Sequence, residues 1–437
     1  MKVTIEKMGI NGEGIGYVNK LPVFIDGVLL HEEVDIEITD KEKTYAFGRV
    51  KKLITYSESR IKPRCKVQSR CGACPLMICD YKEQLNIKRD GLVQALIKYA
   101  HVNPKLVEPL ISNQASYHYR NQFKLPLAME DGQIRTGMYM PKSNYFIAVD
   151  NCLIHENELE RLRISILKIF NHYNFKPYDY HQKKGIRTLI ARVFGGKFQV
   201  TIVSGEHPLA KEVIDDIMAI DGVVSLWQSY NTLKKTVDIF GPKMILLAGE
   251  RYLPLEFDHL KLQISPRSFF QLNTFQAKQL YRTVSELVGN GNELIVEAYS
   301  GIGAISLYLA DKAKEIIGIE SIKDAVINAN ANAVANKISN VKFVCDDAAS
   351  KLVYISKKRS IDVLIVDPPR SGLDVNMLSC IMQSKIKTVI YVSCNPATLG
   401  KNLAVLLEKY NIECIKPIDM FSQTAHVETI VKLTRKR

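Results

Sequence analysis

The sequence has little tryptophan, a shortage of acidic residues and no long apolar run. Only one of its 437 residues is tryptophan, and 46 aspartates and glutamates stand against 59 lysines and arginines. The resulting net charge of +13 favours a polyanionic partner, most simply a nucleic acid. No stretch approaches the roughly 20 apolar residues of a membrane span, and residues 1–6 contain no apolar signal region. We therefore expect a cytoplasmic protein with no membrane partner; we also expect a monomer.

Cysteine, in contrast, is well represented. Nine cysteines in a cytoplasmic chain are expected to be reduced, metal-bound or catalytic rather than paired in disulfides. Three of them, Cys65, Cys71 and Cys74, fall within ten residues; Cys152 joins them as a fourth candidate, and Cys79 is a spare. Thiolates suit zinc or an iron–sulfur cluster, and the spacing does not decide between the two. The pattern favours a metal site over structural thiols.

Three regions of different character follow one another along the chain. Residues 1–57 contain short β runs divided by glycine turns, which predicts a small OB-like β-barrel. Residues 58–265 mix predicted helices, at 81–100 and 156–175, with strands, including 187–203 and 223–238, and form a central α+β domain. From residue 266 to residue 437 strands and helices alternate strictly, which predicts a multidomain α/β chain ending in a Rossmann-like, doubly wound sheet. The last two strands lack an intervening helix and should form an antiparallel hairpin.

A glycine-containing turn follows the first strand of this last region. Gly301 and Gly303 would let the backbone approach a ligand closely, and Glu320, at the end of the second strand, could accept both ribose hydroxyls of a nucleoside. The third glycine of the dinucleotide fingerprint is absent, because Ser306 stands there. That absence disfavours NAD, whose pyrophosphate needs the helix N-terminus, and favours S-adenosylmethionine, which has no phosphate.

Two further strand ends carry reactive groups. Asp367 ends the fourth strand, and Cys394 lies between the fifth strand and a predicted helix. Ligands of open parallel sheets lie at the carboxyl ends of strands, so both residues should face the cofactor crevice. A helix N-terminus favours the thiolate, so we expect a lowered pKa for Cys394.

Together these motifs resemble the RNA 5-methyluridine methyltransferases, the uracil-5-methyltransferases of transfer and ribosomal RNA. The resemblance spans nearly the whole chain and rests on Phe270-Gln271-Leu272-Asn273, Tyr299-Ser300-Gly301-Ile302-Gly303, Asp367-Pro368-Pro369-Arg370-Ser371-Gly372, Ser393-Cys394-Asn395-Pro396 and His426-Val427-Glu428-Thr429. It implies Cys394 as nucleophile and Glu428 as base. It also implies Gln271, Tyr299, Glu320 and Asp367 as contacts of S-adenosylmethionine. The family often has cysteine at Ser300 and a polar residue at Ala304.

The first region, with Gly12-Glu13-Gly14-Ile15-Gly16-Tyr17, resembles the TRAM domain, an RNA-binding barrel. The TRAM-like segment and the cysteines resemble the ribosomal-RNA branch of the family. That resemblance implies a [4Fe–4S] cluster held by Cys65, Cys71, Cys74 and Cys152, and 23S ribosomal RNA as partner.

The implied chemistry needs both a thiolate and a base. Carbon 5 of uracil is a poor nucleophile; a thiolate that adds to carbon 6 makes an enolate that can take a methyl cation, and a base then removes the carbon 5 proton. The target base must be unstacked, so looped or single-stranded RNA is expected.

Three other functions remain open. One is methylation of transfer RNA instead of ribosomal RNA. Another is an amino-methyltransferase, whose Asp-Pro-Pro-aromatic motif has Arg370 here in place of the aromatic residue. The last is a non-catalytic iron–sulfur RNA-binding protein.

Overall fold

The computed structural model of the protein describes residues 1–234, 236 and 238–437. Its first six strands form one sheet around a small apolar core that includes Val23, Ile25 and Ile36. The strands are β1 (Lys2–Thr4), β2 (Lys7–Met8), β3 (Gly14–Val18), β4 (Leu21–Ile25), β5 (Glu33–Lys41) and β6 (Ala46–Leu53), in the sheet order β1-β5-β6-β4-β3-β2.

A helical segment follows. It consists of α1 (Gln68–Cys71), a 3₁₀ turn (Pro75–Ile78), α2 (Tyr81–Ala100) and a second 3₁₀ turn (Pro104–Leu106). The α2 helix has the bounds expected from the sequence: Asp80 caps it by accepting a hydrogen bond from the Glu83 backbone N–H at 2.9 Å, and His101 ends it in the left-handed conformation.

The second sheet occupies the middle of the chain. Its strands are β7 (Gln122–Glu130), β8 (Gln133–Tyr139), β9 (Phe146–Ala148), β10 (Ile186–Phe194), β11 (Lys197–Ser204), β12 (Val223–Tyr230) and β13 (Lys243–Gly249), in the order β13-β12-β11-β10-β7-β8-β9. Helices α3 (Asn157–His172) and α4 (Lys211–Met218) pack apolar side chains on one face. The strand expected over 223–238 ends at Tyr230, and residues 235 and 237 lie outside the described part of the chain.

A β-hairpin, β14 (Leu253–Phe257) and β15 (Leu260–Ile264), was not expected from the sequence. Its apolar residues belong to the core of the third sheet rather than the second. Three asparagines spaced four residues apart bind the backbone of β15 and of the residue after it: Asn332 and Asn336 accept from the backbone N–H groups of Gln263 and Lys261 at 2.8 Å, and Asn328 from Ser265 at 3.3 Å. The hairpin edge is therefore covered by side chains.

The third sheet is the doubly wound one. Its strands are β16 (Asn292–Ala298), β17 (Ala313–Glu320), β18 (Val341–Cys345), β19 (Val363–Val366), β20 (Thr388–Ser393), β21 (Tyr410–Ile418) and β22 (Glu428–Arg435), in the order β18-β17-β16-β19-β20-β22-β21. Its helices are α5 (Thr274–Val288), α6 (Ala304–Tyr308), α7 (Lys323–Ala335), α8 (Ala348–Lys358), α9 (Val375–Gln383) and α10 (Pro396–Leu406), with a 3₁₀ turn at Ala310–Lys312.

The pairing within this sheet confirms the predicted fold class. Strands β16 to β20 are parallel, and β21 and β22 form the expected antiparallel hairpin. The α2 helix, although it precedes the second sheet in sequence, packs against α10 and contributes Leu92 and Leu96 to the core of the third sheet. The domain boundaries after residues 57 and 265 stay a prediction. Within the described residues no helix is long and apolar enough to cross a membrane.

Candidate active site

The candidate residues meet at one edge of the third sheet. Because β16, β17, β19 and β20 are parallel, their carboxyl ends share that edge, and Gly301, Glu320, Asp367 and Cys394 all follow or end these strands. Strand β22 runs the other way, so its first residue, Glu428, arrives at the same edge beside β20. The sheet topology therefore brings a thiol and three carboxyl groups from distant parts of the sequence into one crevice.

The turn after β16 makes an open cradle. Tyr299, Gly301 and Gly303 all have positive φ angles, of 66°, 53° and 77°. A Cβ atom at Gly301 would meet nothing within 4 Å, whereas one at Gly303 would lie 2.2 Å from the Phe343 ring. Gly301 therefore faces free space, and Gly303 is needed for close packing beneath the turn.

Glu320 is held at the mouth of this cradle. Its two carboxylate oxygens accept hydrogen bonds from the backbone N–H groups of Gly301 at 3.0 Å and Ile322 at 2.9 Å. Each oxygen keeps a lone pair for a further donor, such as a ribose hydroxyl. The open side of Gly301 and this oriented carboxylate fit the nucleoside part of S-adenosylmethionine.

Ser306, at the position of the third glycine of the dinucleotide fingerprint, has a structural role of its own. Its hydroxyl and its backbone N–H, the latter at 2.9 Å, both donate to the buried carboxyl group of Glu297 on β16. Burial raises the pKa of Glu297 to about 8, although these hydrogen bonds oppose the rise. The turn is therefore tied to the strand by side chains in place of a third glycine; sequence reasoning overlooked Glu297.

Gln271 lies just before α5. Its side chain is buried, and its backbone carbonyl accepts a hydrogen bond from Asn121 Nδ2 at 3.0 Å. Its side-chain amide forms no hydrogen bond within the described part of the chain, which leaves it available to a ligand.

Cys394 has the predicted position but not the predicted ionisation. It follows β20, and Asn395 caps α10 by accepting a hydrogen bond from the Ala397 backbone N–H at 3.0 Å. Burial, with the negative charges of Glu428 and Asp367, raises the pKa of the Cys394 thiol to about 11, although Arg370 opposes the rise. The expectation of a lowered pKa was wrong for the free protein, because burial and two carboxylates outweigh the helix N-terminus.

The two nearby carboxyl groups are also shifted. Burial raises the pKa of Asp367 to about 7, and burial together with Asp367 raises that of Glu428 to about 8. Like charges in a shared buried site resist simultaneous ionisation. Such values near neutrality are typical of groups that exchange protons during catalysis.

Arg370 brings a positive charge to Cys394 and Glu428, and sequence reasoning gave it no role. Its Nη2 lies 3.3 Å from Nδ1 of His426, two residues before Glu428. Its backbone carbonyl accepts from Asn395 Nδ2 at 3.0 Å and from the Thr398 hydroxyl at 3.2 Å. Arg370 is thereby fixed next to the segment that carries Cys394.

The four candidate cysteines line a second site. Cys65, Cys71, Cys74 and Cys152 all border one cavity of about 240 Å³, together with apolar residues such as Met77 and Phe123. Burial raises the pKa values of Cys65, Cys71 and Cys74, and the charge of Cys152 adds to each rise. The four thiols are therefore neighbours despite their separation in sequence.

The spare candidate is elsewhere. Cys79 is buried outside this cavity, where its thiol donates to the Leu76 carbonyl at 3.3 Å. Among residues 1–234, 236 and 238–437, no three His, Cys, Asp or Glu side chains are arranged to hold a metal ion. The cavity offers the soft donors of an iron–sulfur cluster, and the cluster itself stays a prediction.

A buried polar group borders the cysteine cavity, and the sequence gave no signal for it. His155 Nδ1 lies 2.7 Å from Glu160 Oε1, and the other Glu160 oxygen accepts from the Cys152 backbone N–H at 3.1 Å and from Arg163 at 2.8 Å. This network orients the segment that carries Cys152.

Comparisons with known proteins agree with the geometry. The family model described as tRNA (Uracil-5-)-methyltransferase matches residues 250–436, and the TRAM domain model matches residues 1–51. A Bacillus cereus protein described as an uncharacterized RNA methyltransferase is 38% identical over 99% of this chain and 96% of its own. A Clostridium tetani protein of the same description is 36% identical over 98% of this chain and 95% of its own.

A solved structure aligns with this protein over nearly the whole length of both chains. The Pyrococcus abyssi tRNA (uracil-54, C5)-methyltransferase, in complex with S-adenosyl-L-homocysteine, superposes with a TM-score of 0.80, at 27% identity over 99% of each chain. The chain therefore belongs to the RNA uracil-5-methyltransferase family of S-adenosylmethionine-dependent enzymes, with a TRAM domain at its N-terminus.

Proposed function

We propose that the enzyme methylates carbon 5 of a uridine in 23S ribosomal RNA through a covalent bond between Cys394 and the uracil. The observation that carries this proposal is the convergence of Cys394 and Glu428 at the cofactor edge, close enough for the Glu428 charge to raise the pKa of the thiol. S-adenosylmethionine supplies the methyl group when bound.

Cys394 begins the proposed reaction. After the thiol loses its proton to solvent, the thiolate forms a bond with carbon 6 of the uracil, and the electron pair of the carbon 5–carbon 6 double bond becomes an enolate. Arg370, whose charge lowers the pKa of Cys394, favours the thiolate. Carbon 5 then takes the methyl group as the bond between methyl and sulfonium breaks.

Glu428 ends the proposed reaction. Its carboxylate removes the proton of carbon 5, the double bond re-forms, and the thiolate of Cys394 leaves carbon 6. A base with a pKa of about 8 is suited to this step, because its carboxylate binds a proton more strongly than that of an ordinary glutamate and is still partly ionised at neutral pH.

Gln271, Tyr299, Gly301, Gly303, Glu320 and Asp367 form the proposed cofactor site. The oriented carboxylate of Glu320 and the free space beside Gly301 support the assignment. Cys65, Cys71, Cys74 and Cys152 are the proposed ligands of a [4Fe–4S] cluster. All four cysteines line the same cavity of about 240 Å³, and their soft sulfur donors support a shared metal site.

Ribosomal RNA as substrate rests on the resemblance of the TRAM domain and the cysteines to that branch of the family. The proposed monomer would meet this substrate in the cytoplasm, through a looped or single-stranded segment. Transfer RNA is the second candidate, favoured by the full-length likeness to the archaeal tRNA enzyme.

Mapping 5-methyluridine in total RNA of a deletion strain tests the function. A 5-methyluridine in 23S ribosomal RNA should disappear on deletion and return with the wild-type gene but not with Cys394→Ala. Loss confined to transfer RNA would move the substrate to the second candidate. Restoration of 5-methyluridine by Cys394→Ala would contradict the covalent route.

A further inference from the structure

The segment between β21 and β22, residues 419–427, leads directly into Glu428. Most of it is buried although it has no regular secondary structure: Asp419 and Ser422 are 0% exposed and Gln423 is 2% exposed. Burial of polar side chains is costly unless each finds partners. The Ser422 hydroxyl donates to Asp419 at 2.6 Å, and the other side-chain partners of these three residues come from parts of the chain more than 300 residues away in sequence.

The first anchor is an ion pair with α2. Lys88 Nζ donates to Asp419 and to the Phe421 carbonyl, the latter at 3.0 Å, and both charged side chains are fully buried. The Tyr81 hydroxyl donates to the other oxygen of Asp419 at 2.7 Å. The start of the segment is therefore attached to one face of α2.

The second anchor is a reciprocal pair of glutamines. The Gln423 backbone N–H donates to Gln84 Oε1 at 2.9 Å, and Gln84 Nε2 donates to Gln423 Oε1 at 3.1 Å. Gln423 Nε2 also donates to the Ser116 carbonyl at 3.2 Å. Gln423 has a φ of 71°, a conformation that costs a non-glycine residue about 1 kcal/mol or more and persists where surrounding contacts impose it.

The third anchor comes from the cysteine-bearing segment. Leu76, which lies two residues after Cys74, donates from its backbone N–H to the Gln423 carbonyl at 3.0 Å. Gln84 Nε2 also donates to the Cys79 carbonyl at 3.1 Å. Gln423 is thus held through its N–H, its carbonyl and its side-chain amide. Glu428 lies five residues further along the chain.

We propose that Gln84 and Gln423 are positioning residues that set where the Glu428 carboxylate stands relative to Cys394. The inference rests on the proposed function, in which Glu428 removes the carbon 5 proton. A catalytic group displaced by about 1 Å loses on the order of 100-fold in rate. Loosening this segment should therefore slow elimination, while addition and methyl transfer, which need Cys394 and the cofactor edge, continue.

Two variants break the glutamine pair, one by changing Gln423 and the other by changing Gln84. Gln423→Gly retains the positive φ without strain but removes the side-chain hydrogen bonds. Gln84→Met keeps an unbranched side chain of similar length in α2 and removes the amide. Gln228→Ala is the matched control, because Gln228 is equally buried and hydrogen-bonded, to Ser204 and His207, but lies in the second sheet.

The experiment follows the full-length enzyme with S-adenosylmethionine and RNA on denaturing gels and by single-turnover methyl transfer. Both variants should slow decay of the enzyme–RNA adduct by about 10- to 100-fold, with methyl transfer within about threefold of wild type, and should alter the pH profile of elimination. Gln228→Ala should decay like wild type.

The outcomes separate the two proposals. Wild-type adduct decay in both variants, while Glu428→Gln still traps the adduct, would refute the positioning role and leave the proposed function standing. An equal fall of methyl transfer and elimination would also refute it, because the pair would then only maintain the fold. Failure of Glu428→Gln itself to trap an adduct would contradict the proposed function.

Discussion

Replacing Glu428 by glutamine should stabilise the free enzyme, and more so at higher pH. Burial and Asp367 raise the pKa of Glu428 to about 8, against an ordinary value of 4.5. Between these values the folded protein holds a proton that the unfolded chain has released, so stability falls as pH rises. A difference of about 3.5 in pKa corresponds to about 5 kcal/mol in the free energy of unfolding, and nearly all of this stabilisation is lost by pH 8.

The glutamine variant has no such proton to release. Its free energy of unfolding relative to wild type should therefore increase by about 2 kcal/mol from about pH 6 to about pH 8. Urea unfolding followed by circular dichroism at both pH values measures this difference. The control is Glu286→Gln, which removes an exposed carboxyl group on α5. An equal difference between Glu428→Gln and wild type at the two pH values would refute the view that Glu428 is a buried acid.

Three further perturbations address the other parts of the molecule. The anaerobically purified protein should be brown, and Cys65→Ser should bleach this colour. Cys79→Ser should not, because Cys79 lies outside the cysteine cavity. Stoichiometric zinc without iron would contradict the cluster. Glu320→Ala should weaken S-adenosylmethionine binding, measured by calorimetry, by about 10- to 100-fold through loss of charged hydrogen bonds. The control is Glu315→Ala, on the same strand but paired with Arg359, which should leave the affinity unchanged. Lys51→Ala, in the TRAM domain, should reduce the slope of log affinity against log salt by about 0.7 to 1, whereas an unchanged slope would remove this residue from the RNA interface.

Local patterns were enough to predict the third sheet. Strand–helix alternation predicted a doubly wound sheet, and parallel pairing then placed Gly301, Glu320, Asp367 and Cys394 at one edge without knowledge of any contact. The hairpin β14–β15 was missed because its edge is satisfied by Asn332 of α7 and by Asn336 at the end of that helix, about 70 residues later in the chain.

Properties that depend on burial could not be predicted in the same way. The helix N-terminus next to Cys394 is visible in the sequence, but the desolvation and the carboxylates that raise its pKa arise only when β19, β20 and β22 assemble. The attachment of Gln84 to Gln423 joins residues 339 apart, so no periodicity or spacing could reveal it.

The covalent route is tested most directly by the product of Glu428→Gln with S-adenosylmethionine and substrate RNA. If glutamine cannot remove the carbon 5 proton, the enzyme should remain bonded to methylated uracil through Cys394. Intact mass spectrometry after nuclease digestion should show the protein plus one methylated nucleotide, mapped to the Cys394 peptide, and Cys394→Ala/Glu428→Gln should show none. A Glu428→Gln enzyme that turns over normally, or an adduct that survives loss of Cys394, would contradict the account.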